Sequence, residues 1–135
     1  MQRLEDTMNI LRDLGSFATI STASNQTMIN YLAKRLSDTS ARTKLFQDTS
    51  GQKANLFATP GPAGSQENGN ERPQDGGILP SSRTDMVPVT DQIWSHNPFK
   101  LCEHGGALRG RGTCDMKGFI AATLAMAPDL SLIHI

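Results

Sequence analysis

Neither sign of charge is in excess in this chain. Lys plus Arg and Asp plus Glu each number 13 in 135 residues, for a formal net charge of zero, so no global field draws it onto nucleic acid or an anionic membrane. Long apolar runs are missing as well. Hydrophobic residues make up 37%, and no stretch approaches the roughly 18 that a membrane span needs. Cysteine is scarce: Cys102 and Cys114 are too few for a disulfide framework and form no Cys-x-x-Cys pair, which points to free thiols in a reducing compartment. The opening residues, Met1 to Asp6, are charged from the start and lack the apolar stretch and small-residue cleavage site of a secretory signal. A soluble chain with a cytoplasmic address is expected, about one domain in length.

What is present reads as a succession of short elements. Leu4, Met8, Leu11 and Leu14 recur at steps of three and four, predicting an amphipathic helix that ends near Gly15. Ser24 or Asn25 would cap a second helix with Met28, Tyr31, Leu32 and Leu36 inward and Lys34 and Arg35 in water. Residues 43–47 and 54–59 read as two strands of a hairpin around Asp48-Thr49-Ser50-Gly51. From Pro60 to Asp75 only Ala63 is apolar, so residues 60–75 are expected to be an exposed loop. Gly76 to Leu79 would begin a buried strand, although Pro80 follows at once. Asp91 to Leu101 reads as a loop, followed by a Gly-rich approach from Gly105 to Gly112. A last helix is predicted after Asp115 through Met116, Ile120 and Leu124, stopping before Pro128. Residues 131–135, Ser-Leu-Ile-His-Ile, read as a non-native tail.

Two carboxylates stand out on loops: Asp85 within Ser81-Ser82-Arg83-Thr84-Asp85-Met86-Val87-Pro88-Val89, and Asp115 within Gly110-Arg111-Gly112-Thr113-Cys114-Asp115-Met116-Lys117-Gly118. These segments resemble two motifs of the co-catalytic zinc amidohydrolases and exopeptidases. Residues Leu11 to Leu14, Lys53 to Thr59 and Gly112 to Ala121 favour the acetylornithine deacetylase branch over the desuccinylases and peptidases. The resemblance implies an α/β fold, a partial zinc-exopeptidase-like catalytic domain with a mixed sheet flanked by helices. Residues 1–130 would be the N-terminal part of that domain, with the lid and dimerisation domain, through which the family homodimerises, absent.

The activity implied is zinc-dependent removal of acetate from N2-acetyl-L-ornithine in arginine biosynthesis. The partner would then be a small N-acyl amino acid, with no nucleic acid or membrane. Asp115 would be the carboxylate bridging two zinc ions. Asp85 would be the catalytic-site residue that orients a metal-binding imidazole two positions earlier, since residues i and i+2 share a face of an extended strand. An isolated Asp at a helix start is ordinarily an N-cap; the uninterrupted nine-residue motif argues for the ligand.

One position departs from the pattern. The family's first motif reads Ser-Gly-His-Thr-Asp, and Arg83 occupies the usual His ligand position. A guanidinium is always charged and has no lone pair to give a metal. Arg83 is therefore expected to pair with Asp85 or Asp115 and to replace a metal electrostatically. No Glu-Glu pair occurs in the sequence, so the family's general base has no counterpart, and the chain is expected to bind zinc weakly and to be inactive by itself. The alternatives are a non-catalytic relative or folded module, or a deacylase or peptidase of the same family with another substrate. Other constellations are weaker. His96, His104, Cys102 and Cys114 match no usual zinc spacing. Position 115 is Asp where a dinucleotide loop needs Gly, and Ser81 and Ser82 lack a nucleophile elbow.

Overall fold

A computed structural model describes residues 1–59 and 79–130. The proposed loop at 60–75, the strand start at 76–78 and the tail at 131–135 lie outside the described residues. The first helix, α1, spans Gln2–Ser16. Ile10, Leu11 and Leu14 are buried along it, one and four residues apart, so they share one helical stripe. Leu4 is 67% exposed, and the inward face predicted to start there starts at Ile10 instead. The turn bearing Leu4 is exposed among the described residues.

The second helix, α2, spans Gln26–Ser37 and buries Met28, Ile29 and Leu32. Tyr31 and Leu36 pack at the margin of the same core, and Ile29 joins the stripe because it adjoins Met28 around the helix. Asn25 holds the N-cap position without a side-chain cap bond, and the Ser24 hydroxyl before it accepts the Gln26 N–H at 3.2 Å. The Asn25 side chain turns inward instead. Tyr31 donates to Asp13 of α1 at 2.8 Å and packs on Phe17 at 5.5 Å between ring centroids. Burial first, then the bond to Asp13, pushes its phenol up to about 12.

The hairpin forms as predicted. Strand β1, Arg42–Gln47, pairs antiparallel with β2, Ala54–Thr59, with Leu45 opposite Leu56. Its turn is organised by Asp48, whose carboxylate accepts from the Ser50 hydroxyl at 2.6 Å and the Lys53 N–H at 3.1 Å. Those bonds, Ser50 first, hold the carboxyl below its ordinary value. Strand β1 is exposed throughout, whereas β2 rests on α2 through Ala54 and Leu56.

A second hairpin was not anticipated. Strands β3, Cys102–His104, and β4, Ala107–Arg109, pair antiparallel around Gly105-Gly106. Both glycines have positive φ, 62° and 74°, as a two-residue hairpin turn of matching twist requires. The pairing is only three residues long on each side, too short for an alternating pattern to show in sequence.

The third helix, α3, spans Gly118–Leu130 and contains Pro128. It begins three residues after Asp115 and runs past the proline at which it was expected to stop. A proline forfeits one hydrogen bond and crowds the preceding turn, but here it falls in the last turn of a helix whose Ile120, Ala121, Leu124 and Ala127 are buried. Helices α1 and α3 share the main core, in which Ile10, Leu11 and Leu14 cluster with Ile120, Ala121 and Leu124. Each leucine or isoleucine among them is worth about 1.5–3 kcal/mol when fully buried. At the helix ends Arg3 pairs with Asp129 at 2.8 Å on the surface, a contact worth at most about 1 kcal/mol. Among the described residues no helix is long and apolar enough to cross a membrane.

Candidate functional site

The two acidic loops reach the same region by different supports. The first is fastened to the stretch after α1. Met86 N–H donates to Thr19 C=O at 2.9 Å, and Met86 C=O accepts from Ser21 N–H at 3.0 Å, giving one parallel bridge between Ile20 and Met86. Thr19, itself buried, adds a hydroxyl bond to Thr84 C=O at 2.6 Å. The second clamp is Asn25, 5% exposed. Its carboxamide meets both backbone groups of Ala54, Oδ1 accepting the N–H at 2.9 Å and Nδ2 donating to the C=O at 3.0 Å. The same Nδ2 also donates to Thr84 Oγ1 at 3.0 Å. One side chain thereby ties α2, the start of β2 and the loop bearing Asp85.

Asp85 itself is exposed, and its partner is Lys53. The Nζ lies 3.0 and 3.1 Å from the two carboxylate oxygens. The pairing expected of Arg83 is thus taken by a lysine from the foot of β2, and among the described residues Arg83 has no ion pair with Asp85 or Asp115. The reason is local: Lys53 adjoins Ala54, which Asn25 holds beside Thr84, so its amine is already next to Asp85. Nothing in the sequence pattern relates residues 53 and 85, which are 32 positions apart.

The second loop is a wide turn, Thr113–Lys117, leading into α3. Asp115 (φ −126°, ψ 95°) and Met116 (φ −132°, ψ 17°) are outside helical geometry, and their peptide bond is cis. Asp115 therefore stands exposed on the turn, ahead of the helix rather than at its first residue. Gly112, at φ 77°, lets this turn approach the first loop, because a Cβ there would lie 2.8 Å from Met86 Sδ. At the same junction the Ser82 hydroxyl lies 4.0 Å from Met116 Sδ.

Lys117 fixes the far end of the turn. It is 1% exposed, and its Nζ donates to Leu14 C=O at 2.7 Å and Phe17 C=O at 2.6 Å. Those carbonyls close the C-terminal end of α1, where the helix dipole favours a cation. Burial pushes the ammonium down to about 8. Sequence reasoning passed over Lys117 as part of a motif; a lysine at the start of an apolar helical stripe was the available signal.

A further cluster lies just upstream. Arg111 stacks over Trp94, with its guanidinium carbon 5.1 Å from the ring centre, and bonds to Gln92. His96 meets Trp94 edge-on at 5.8 Å. His96, His104, Cys102 and Cys114 do not gather as a metal group: among the described residues no set of three His, Cys, Asp or Glu side chains is placed to hold an ion. The same finding applies to Asp85 and Asp115. With Arg83 contributing no lone pair, the donors among the described residues do not by themselves make up a zinc site.

A cavity of about 630 Å³ opens beside the first loop, between β2, residues 79–85 and α3. Its rim includes Lys53, Arg83 and Asp85, and its walls are largely aliphatic.

Comparison with known proteins places these loops in context. Residues 81–132 match the model of Peptidase family M20/M25/M40. Over 113 residues the chain is 37% identical to an acetylornithine deacetylase of Pasteurella multocida (strain Pm70), covering 83% of this chain and 27% of that protein. It is 39% identical over 109 residues to the acetylornithine deacetylases of Yersinia pseudotuberculosis serotype O:1b (strain IP 31758) and of Yersinia pestis, covering 79% of this chain and 26% of each relative. The chain thus spans about a quarter of the length of the curated relatives it matches.

Proposed function

We propose, from the premise that this chain carries part of a Peptidase family M20/M25/M40 domain, that it contributes one wall of the active site of a metal-dependent amide hydrolase. The substrate in this reading is N2-acetyl-L-ornithine and the product acetate, as the names of the relatives indicate. The supporting observation is the meeting of the two motif loops, Ser82 against Met116 and Met86 against Gly112. Residues 34 and 26 positions apart in sequence are thereby brought together, with an acidic side chain next to each contact.

In this proposal Asp115 would be a metal-holding carboxylate once the remaining ligands are supplied, and Asp85 would orient a neighbouring ligand. Lys53 holds Asp85 in place. The described residues do not complete a donor set, so no chemical step is attributed to them alone, and the chain by itself is expected to release no acetate.

The test joins the chain to the remaining length of the Pasteurella multocida relative, with and without Arg83→His. The R83H form should take up zinc and release acetate from N2-acetyl-L-ornithine, and the Arg83 form should hold zinc at least about tenfold more weakly. Absence of zinc from the R83H form would count against the hydrolase reading. A second reading, a folded module without catalysis, is favoured by one observation: Asp85 is already paired with Lys53. Zinc uptake without acetate release would support it.

A further inference from the structure

The position where the family pattern places a metal-binding imidazole carries a cation in this chain, and the cavity beside it is built for the opposite charge. We propose that the cavity between β2, residues 79–85 and α3 binds an amphipathic monocarboxylate, with its carboxylate on Arg83 and its alkyl chain along the apolar wall.

Charge is the first argument. The rim holds Lys53, Arg83 and Asp85, and Lys53 is committed to Asp85 at 3.0 and 3.1 Å. That leaves one net positive charge, the Arg83 guanidinium, which has no ion pair among the described residues. A planar fork of donors suits a carboxylate in bidentate geometry. Ser81 and Ser82 on the same rim supply hydroxyls for the remaining lone pairs. A divalent cation would meet repulsion from Arg83 there and find no donor set among the described residues.

Shape is the second argument. A volume of about 630 Å³ lies within the usual range for small-molecule sites, about 300–1,000 Å³. The lining also includes Leu32, Leu36, Leu56, Phe119 and Leu124, with Phe119 44% exposed and able to gain contact with an alkyl chain. A guanidinium and aliphatic side chains lining one cavity define the ligand class. This inference does not depend on the hydrolase reading, because it requires neither metal nor turnover.

The experiment is calorimetric titration of the 135-residue chain with decanoate, decanol and decyltrimethylammonium, each below its micelle concentration and in the presence of EDTA. Chelation removes any carboxylate binding through a metal, so the outcome is separate from that of the zinc test. Decanoate should bind about tenfold more tightly than decanol, as expected for one charge-assisted pair, and the cationic probe most weakly. Arg83→Gln should erase that preference, and Arg83→Lys should retain part of it. Equal affinity for the three probes, a preference that survives R83Q, or no decanoate binding at millimolar concentration would overturn the proposal. The three-probe comparison on the unmodified chain decides the matter even if R83Q fails to fold.

Discussion

Replacing Asn25 by alanine should destabilise the chain by about 2–4 kcal/mol, and the magnitude follows from what its carboxamide touches. Ala54 is 4% exposed, and both its N–H and C=O are met by Asn25 at 2.9 and 3.0 Å, as a neighbouring strand would meet them. Removing the carboxamide leaves two buried backbone groups unpaired, at about 1–3 kcal/mol each. The Thr84 hydroxyl, bonded at 3.0 Å, loses a donor as well, but it is only half-buried and can turn to water. Against a total stability of about 5–15 kcal/mol for a domain, the loss is large.

With a urea m-value of about 2 kcal/mol/M, the middle of the usual range, the midpoint should fall by about 1–2 M. Asn25→Asp is the sharper variant. It keeps an acceptor for the Ala54 N–H but sets a carboxylate oxygen against the Ala54 carbonyl, so at neutral pH it should destabilise at least as much as alanine. Urea unfolding followed by circular dichroism reads both. A midpoint for N25A within about 0.3 M of the unmodified chain would refute the argument that Ala54 depends on this side chain.

Two other predictions concern buried polar groups. Tyr31 is the single tyrosine, so its ionisation can be followed alone by phenolate absorbance. Its folded pKa is raised from 10.0 to about 12, so the associated stabilisation is fully present below pH 10 and is lost as pH rises through 12. Asp13→Ala should move the midpoint back toward 10, and a midpoint already at 10 in the folded chain would contradict the burial. Lys117→Met should leave stability within about 1 kcal/mol, since the cost of burying the ammonium disappears with its two bonds, and Leu14 and Phe17 carbonyls keep bonds from Phe17 and Thr19 N–H. Lys117→Ala should cost about 2–4 kcal/mol through the cavity it leaves. Equal thermal shifts for the two variants would argue against this account.

The sequence revealed those parts of the fold in which periodicity alone sets the outcome. The stripe of Met28, Leu32 and Leu36 and the β1–β2 hairpin with its Asp48 turn are local patterns, and both formed as read. The exceptions are places where tertiary contact overrides local preference. Leu4 is left exposed among the described residues, Pro128 is carried by the buried face of α3, and Asn25 faces inward because Ala54 lies there rather than because helix ends require it. At the candidate site, the loops bearing Asp85 and Asp115 could be located from their motifs. The partner of Asp85 could not, because proximity of Lys53 is created by the Asn25 tie and not by spacing. Arg83 could be recognised as a departure, but its ion-pair state depends on which cation reaches Asp85 first.

The anchor beneath the Asp115 turn has an evolutionary consequence. Lys117 grips α1 through peptide oxygens of residues 14 and 17, which every amino acid supplies, so substitutions at those two positions leave the grip itself untouched. What it does constrain is spacing: inserting or deleting a residue between the last turn of α1 and Phe17 would carry one oxygen out of reach, so this stretch should tolerate exchanges of side chain far more readily than changes of length.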